Sequence, residues 1–217
     1  MRCINAIYLQ APQVPASDYK DFLNVCSVWH GLLKKHHHGE EKYFFHKLDE
    51  QWGVGTMASS FAEHAAFHDG VERFAAYIKS LRGREGEFNG AKLVELIDGF
   101  TRPLNKHFHN EIEVILALGN LENPTLVVKL WTDSVKKSID EITLKDIFVS
   151  FPFIVLTHDL TYEGGIHSKF PPVPAVMLFL ARHVFTMWNW TMWQYMPCDT
   201  WGRPKALHRP PEFSCIL

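Results

Sequence analysis

The apolar residues in the first part of the chain recur at steps of three and four residues, which is the period of an α-helix. Ser17 and Asp18 stand where an N-cap would, and Gly53 and Gly55 supply a stop. The pattern predicts one helix from Ser17 to about Glu50, whose repeating apolar positions are Tyr19, Phe22, Leu23, Cys26, Trp29, Leu32 and Leu33.

Further helices are predicted on both sides of this one. A second long helix is expected from about Thr56 to Leu81, and a third from about Gly90 to Leu118 with Pro103 as a kink or restart. A short helix is expected around residues 2–9. Sustained alternation of apolar and polar residues, which indicates a strand, is missing from this stretch. We therefore predict an all-helical bundle over residues 1–120.

The pattern changes after residue 120, and we predict a helical and loop extension over residues 121–217 that packs on the bundle. Its last part, from Val173 to Met196, is strongly apolar and aromatic. Arg182 and His183 interrupt this segment, so a membrane span is not expected. We predict a helix packed against the bundle there, and an interfacial or partner-binding surface is the alternative.

Composition excludes some classes of protein. The chain has 217 residues, with 22 Lys plus Arg against 24 Asp plus Glu, so a nucleic-acid partner is not expected. Apolar residues make up 47% and charged residues 21%, which is a globular mixture and not that of a disordered chain.

The cysteines and the first residues bear on the compartment. The four cysteines are far apart and follow no CxxC spacing, so we expect reduced thiols. The start, MRCINAIYLQAPQVP, has no long apolar core and no cleavage site, so a cytoplasmic location is expected. Cys215 is third from the end, where a prenylation signal needs it fourth, so lipidation is not expected.

The histidines are the main chemical signal. Nine of the 13 fall between His30 and His109. Residues four apart lie on the same face of a helix. Each of the three long predicted helices carries one such pair of metal-competent side chains: His36 with Glu40, His64 with His68, and His107 with Glu111.

One His-x-x-x-Glu pair alone indicates no more than a solvated face or a local hydrogen bond. Three pairs on three successive helices would bring four imidazoles and two carboxylates together, which is the ligand chemistry of a non-haem iron or manganese centre. His37 with Glu41 forms a parallel pair that points about 100° away on an α-helix. We expect this pair to support the site, to substitute for a ligand or to lie at the surface.

The motifs HHHGEEKYFF, EHAAFH and HFHNE, in this order, resemble those of hemerythrin-like domains with the HHE cation-binding signature. The segments NAIYLQAP, GAKLVELID and FPFIVLTHDLTYEGG are similar to a fungal branch of that family with a C-terminal extension. The resemblance implies an up-down four-helix bundle that holds two irons bridged by carboxylates and binds O2 or a related oxidant.

By this resemblance, His64, His68 and His107 match the ligands of the better-coordinated iron and His36 matches a ligand of the other. Glu40 and Glu111 match the bridging carboxylates. The family has a further histidine upstream of the segment that matches INAIYLQAP. This sequence begins at Met1, too close to that segment to include the histidine. We therefore expect one metal to lack a ligand and to bind weakly, with one or two ions held. His37, Tyr8 or Asn5 could stand in.

Three functions follow as hypotheses. The leading one is a non-haem iron enzyme that oxidises or rearranges a small organic molecule in fungal secondary metabolism, with manganese or zinc as alternative metals and the aromatic extension as an apolar lid. The second is a sensor or store for O2, nitric oxide or iron. The third is metal-independent acid/base chemistry by His/Glu pairs of a degenerate site. The expected partners are thus a small-molecule substrate or O2.

Overall fold

The computed structural model describes residues 1–211, and these residues are predominantly helical, which confirms the predicted fold class. No strand occurs in that range, where Cys198 and Pro204 form only an isolated antiparallel bridge. The α-helices are α1 (Arg2–Gln10), α2 (Tyr19–Gly39), α3 (His46–Trp52), α4 (Ala58–Ser80), α5 (Gly90–Leu118), α6 (Pro124–Asp140), α7 (Phe151–Thr157), α8 (Ala175–Phe179) and α9 (Trp190–Trp193).

The helix predicted over 17–50 is present but not uniform. A 3-10 turn at Ala16–Asp18 leads into α2, and a π-helical segment at Glu40–Phe45 joins α2 to α3 without a break. A π-helix holds more residues in each turn than an α-helix, so the side chains that follow point in different directions from those of a regular helix. Such segments occur frequently at functional sites.

The helices α4 and α5 lie close to their predicted bounds. Pro103 does not interrupt α5, which runs as one helix from Gly90 to Leu118. Within these helices Gly70 lies so close to Phe100 that a Cβ atom at position 70 would stand 2.6 Å from the Phe100 Cβ. The missing side chain of Gly70 thus allows the two helices to approach each other.

The described chain forms two compact units, each assembled from separate stretches. The first unit comprises residues 1–29, 76–94 and the chain from Thr143 onward, and the second comprises residues 30–75 and 95–142. Stretches of the two units alternate along the sequence, whereas the predicted division has a single boundary at residue 120. That division into domains stays a prediction.

In the second unit, α6 completes an apolar core that the bundle helices begin. Leu121, Val127 and Leu130 pack against the core, and the ring of Trp131 meets that of Phe44 edge-on at 5.3 Å. Asn123 caps the first turn of α6 by accepting a hydrogen bond from the Leu126 amide. The buried members of this core are Phe44, Phe45, Leu48, Met57 and Leu118.

In the first unit, hydrogen bonds connect the N-terminal part of the described chain with its C-terminal part. The Gln10 side chain donates to the carbonyl of Tyr195 and accepts from the amide of Arg209. The Asp18 carboxylate accepts from the hydroxyl of Tyr195 at 2.8 Å and from the guanidinium of Arg209 at 2.9 Å. Asp18, predicted as a helix cap, therefore binds the C-terminal segment.

The segment from Val173 to Met196 is not the single helix that its composition predicts. After α8 it continues as a π-helical segment, Leu180–Val184, and a 3-10 turn, Phe185–Met187, before α9 begins. Asn189 has a φ of 54°, a left-handed conformation that asparagine tolerates and that stops a right-handed helix. None of the helices in residues 1–211 is both long and apolar enough to cross a membrane.

The cysteines within the described range are free thiols, as predicted. Cys3, Cys26 and Cys198 are all buried. Cys215, and with it the prediction about prenylation, lies outside the described residues.

Candidate metal centre

The second unit brings most of the predicted ligands together in two overlapping groups. In each group the candidate ligand atoms lie within 4.8 Å of one another. They come from α2, the π-helical segment, α4 and α5, and only Glu40 belongs to both groups. The first group is His37, Glu40, His64 and His107, and the second is His36, Glu40 and Glu111.

The carboxylate of Glu40 presents one oxygen to each group. Its Oε1 lies 3.1 Å from Nε2 of His36, and its Oε2 lies 3.6 Å from Nε2 of His64. The carboxylate of Glu111 lies near both groups as well, since its Oε2 is 3.8 Å from Nε2 of His107. Two carboxylates that lie between two groups of ligands can bridge two cations.

The buried ligand atoms lack the partners that buried polar atoms normally have. Nε2 of His37, of His64 and of His107 and both oxygens of Glu40 have no partner with hydrogen-bond geometry among the described residues, although Nε2 of His36 lies 3.1 Å from Oε1 of Glu40. Unpaired buried polar atoms are costly and therefore rare. Cations held in the two groups would satisfy all five atoms, and a donor set of imidazole nitrogen and carboxylate oxygen fits iron, manganese or zinc.

Burial favours the uncharged forms of Glu40 and His37 when no cation is bound. Burial, together with the neighbouring Glu111 carboxyl, raises the pKa of Glu40 well above its ordinary value. Burial and the adjacent imidazoles lower the pKa of His37 to about 2. A neutral imidazole is the form that binds a metal, and a cation would displace the proton of Glu40.

Carboxylates behind two of the imidazoles orient them. Oε1 of Glu41 lies 2.6 Å from Nδ1 of His64, and Oε2 of Glu63 lies 3.3 Å from Nδ1 of His107. The Asn110 amide donates a hydrogen bond to Glu63 in turn. Such partners commonly fix the ring of a metal-binding histidine so that Nε2 faces the metal.

Sequence reasoning placed Glu41 beside the site and missed Glu63 and Asn110. Both missed residues are inside the motifs already singled out, one residue before His64 in EHAAFH and one before Glu111 in HFHNE. Their position next to a ligand was therefore the only available signal.

The structure does not bring His68, predicted as a ligand, into either group. Its side chain is 67% exposed, and its Nδ1 lies 3.3 Å from a carboxylate oxygen of Asp69. Four residues along an α-helix advance a side chain by a full turn and rotate it by about 40°. Only His64 of the pair lies among the ligands in α4.

His37 takes a place in the group that contains His64 and His107. Because successive α-helical side chains diverge by about 100°, His36 and His37 enter different groups. Within the described residues neither group includes Tyr8 or Asn5, the other substitutes considered.

Two cavities reach the centre, and their walls are formed by different residues. A cavity of about 330 Å³ has His36 and Glu40 in its wall, together with α6. A cleft of about 590 Å³ has His37, His64 and Glu41 in its wall. Each group of candidate ligands therefore has its own access.

The fold and the centre define an all-helical protein with a histidine–carboxylate site for cations. The family model of the hemerythrin HHE cation binding domain matches residues 4–118. The chain belongs to this hemerythrin-like family.

A relative extends the similarity beyond that domain. The chain is 32% identical over 209 residues to "Dimeric xanthone biosynthesis cluster protein R11" of Cryptosporiopsis sp. (strain 8999), with 95% of this chain and 77% of that protein covered. No solved structure matches the chain.

Proposed function

We propose that the protein is a non-haem di-iron enzyme that oxidises or rearranges a small aromatic molecule in secondary metabolism. The observation that carries this proposal is the position of Glu40, which directs one carboxylate oxygen to each of two groups of ligands. The buried atoms without hydrogen-bond partners support the same conclusion, because a pair of cations would satisfy them.

The two groups differ in the number of ligands. The group around His64 offers three imidazoles and a shared carboxylate, whereas the group around His36 offers one imidazole with Glu40 and Glu111. A metal with few protein ligands keeps open positions for a substrate or an oxidant. Bound iron would supply Lewis-acid or redox chemistry there.

The protein itself shields the better-coordinated group. The ring of Phe67 lies 5.0 Å from that of His37, 5.8 Å from that of His64 and 5.4 Å from that of His107. An apolar ring at this distance limits the approach of water from one side of the imidazoles, which strengthens electrostatic interactions among the ligands. The polar partners of His64 and His107 then keep both imidazoles in place.

The class of substrate is suggested by the fungal relative. That protein's name assigns it to a cluster for the biosynthesis of dimeric xanthones. Because this chain is similar to it over most of its length, we extend the proposal to a polycyclic hydroxylated aromatic substrate. We place the reaction in the cytoplasm.

The experiment is anaerobic reconstitution of the purified protein with Fe(II), followed by exposure to O2 with and without a hydroxyxanthone. Oxygen consumption that depends on the aromatic compound and on iron supports the proposal. A stable oxygenated spectrum without turnover would instead favour an O2-binding protein. Conversion of the compound that survives chelation would favour metal-independent acid/base chemistry.

A further inference from the structure

We propose that the 330 Å³ cavity between α2, the π-helical segment and α6, here called the α6 chamber, binds the ring of a dihydroxylated aromatic molecule with its oxygens facing His36 and Glu40. The inference rests on the proposed function, because it names where the substrate of that centre would lie. It also assigns a role to α6, which lies outside the residues 4–118 that match the family model.

The walls of the α6 chamber suit an aromatic ring. Their apolar side chains outnumber the polar ones, and the volume is at the lower end of the range for small-molecule sites. Phe44 and Trp131 meet edge-on, an arrangement that aromatic rings favour and that a third ring can extend. The apolar wall consists of Leu32, Phe44, Trp131, Val135, Ile139 and Ile142.

Two serine hydroxyls of the α6 chamber, whose wall also contains Lys35, favour a guest with hydroxyl groups. Ser134 donates its proton to the Trp131 carbonyl at 2.7 Å, and Ser138 donates to the Ser134 carbonyl at 3.1 Å. Because each serine donates within α6, each hydroxyl oxygen can only accept from a guest. A guest with an O–H group satisfies this requirement, whereas a ketone or a carboxylate does not.

The chamber reaches the group of ligands that leaves more positions open. Its wall contains His36 and Glu40, which belong to the group with a single imidazole. Gly39 brings the end of α2 close to α6, since a Cβ atom at that position would stand 3.1 Å from Oγ of Ser138. The aromatic wall, the accepting hydroxyls and the open coordination positions thus lie around one cavity.

The cleft of about 590 Å³ differs from the α6 chamber in the polarity of its wall. It reaches His37 and His64, which belong to the group with three imidazoles. Charged and imidazole side chains dominate its wall, and they include Lys34, His38, Glu41, His68, Asp69 and Glu72. Such a wall stays hydrated and is a poor site for an apolar ring.

Binding of 4-nitrocatechol, a chromophoric dihydroxylated ring, to the iron-loaded protein tests the proposal by spectrophotometric titration. Ile139 lies in the chamber wall and is 56% exposed, so we expect Ile139→Trp to narrow the cavity without disturbing the core. Ala65→Trp is the matched control, because Ala65 is also exposed and lines the cleft of about 590 Å³. Ser138→Ala removes one accepting hydroxyl.

We expect Ile139→Trp to lose at least about tenfold in affinity for 4-nitrocatechol. Its iron content and its binding of azide, which needs no chamber, should stay unchanged. Ser138→Ala should lose roughly three- to tenfold, and Ala65→Trp should match the wild type.

Three results would overturn the inference: unchanged affinity in Ile139→Trp, loss of affinity in Ala65→Trp alone, or an iron-loaded wild type that binds azide but not 4-nitrocatechol. A wild type that holds no iron would contradict the proposed metal centre itself, so the two failures are distinguishable. Circular dichroism of each variant confirms that the helices are intact.

Discussion

Glu41 holds the imidazole of His64 from behind, with 2.6 Å between its Oε1 and Nδ1 of the ring. Nε2 of the same ring then faces the carboxylate of Glu40 at 3.6 Å. Because the Glu41 carboxylate fixes the orientation of the His64 ring, Glu41 should contribute to metal affinity without binding the metal itself.

Glu41→Ala should therefore weaken iron binding about 10- to 100-fold while the fold is retained. Competition with a chelator of known affinity measures the change. Glu50→Ala is the control, because Glu50 is an exposed glutamate that pairs only with Lys47 among the described residues. Equal affinities in the two variants would show that the contact with His64 has no role in binding.

Gly70 allows the close approach of α4 and α5, and Gly70→Ala tests this. A Cβ atom there would stand 2.6 Å from that of Phe100, which outweighs the better helix propensity of alanine. We expect a loss of roughly 1–3 kcal/mol in the free energy of unfolding, measured by urea denaturation.

Gly31→Ala is the matched control for this prediction. Gly31 also lies inside a helix, but a Cβ atom there would meet nothing within 4 Å. This variant should gain about 0.5–1 kcal/mol. Similar effects of the two substitutions would contradict the close contact at Gly70.

Asp18 should make stability depend on pH in the acid range. Hydrogen bonds from Ser17, Arg209 and Tyr195 lower the pKa of Asp18 from 3.8 to about 2. A lowered pKa in the folded state means that the stabilisation is present above pH 4 and is lost as the pH falls towards 2.

Asp18→Asn should accordingly cost about 1 kcal/mol near neutral pH, a value reduced by solvent screening. The difference from the wild type should shrink between pH 4 and pH 2 in chemical denaturation. Asp98→Asn, at an exposed position of α5, is the control. A difference that stays constant down to pH 2 would exclude an ionised Asp18 as the cause.

The helices α1, α2, α4 and α5 could be predicted from the sequence, because local periodicity determines them. The third long helix has the predicted bounds, and Pro103 lies inside it. The segment after Val173 could not be predicted in this way, because Trp188 is extended and Asn189 is left-handed, and sequence alone does not show where such conformations occur.

The residues of the candidate centre could also be predicted only in part from the sequence. Spacing by four residues identified His36, Glu40, His64, His107 and Glu111, since such pairs share a face of a helix. The same rule also selected His68, and it left His37 as a supporting, substitute or surface residue, because spacing alone does not show which of two successive side chains faces the centre. The π-helical segment that begins at Glu40 left no recognisable signal in the sequence.

The most direct test of the proposed centre is the number of irons bound per chain after anaerobic reconstitution. Glu40 belongs to both groups of ligands, so Glu40→Ala should lose iron from both, whereas His68→Ala should retain the wild-type content. We predict about two irons per chain for the wild type and for His68→Ala, and a large loss for Glu40→Ala. Full occupancy in Glu40→Ala, or a loss confined to His68→Ala, would contradict this prediction.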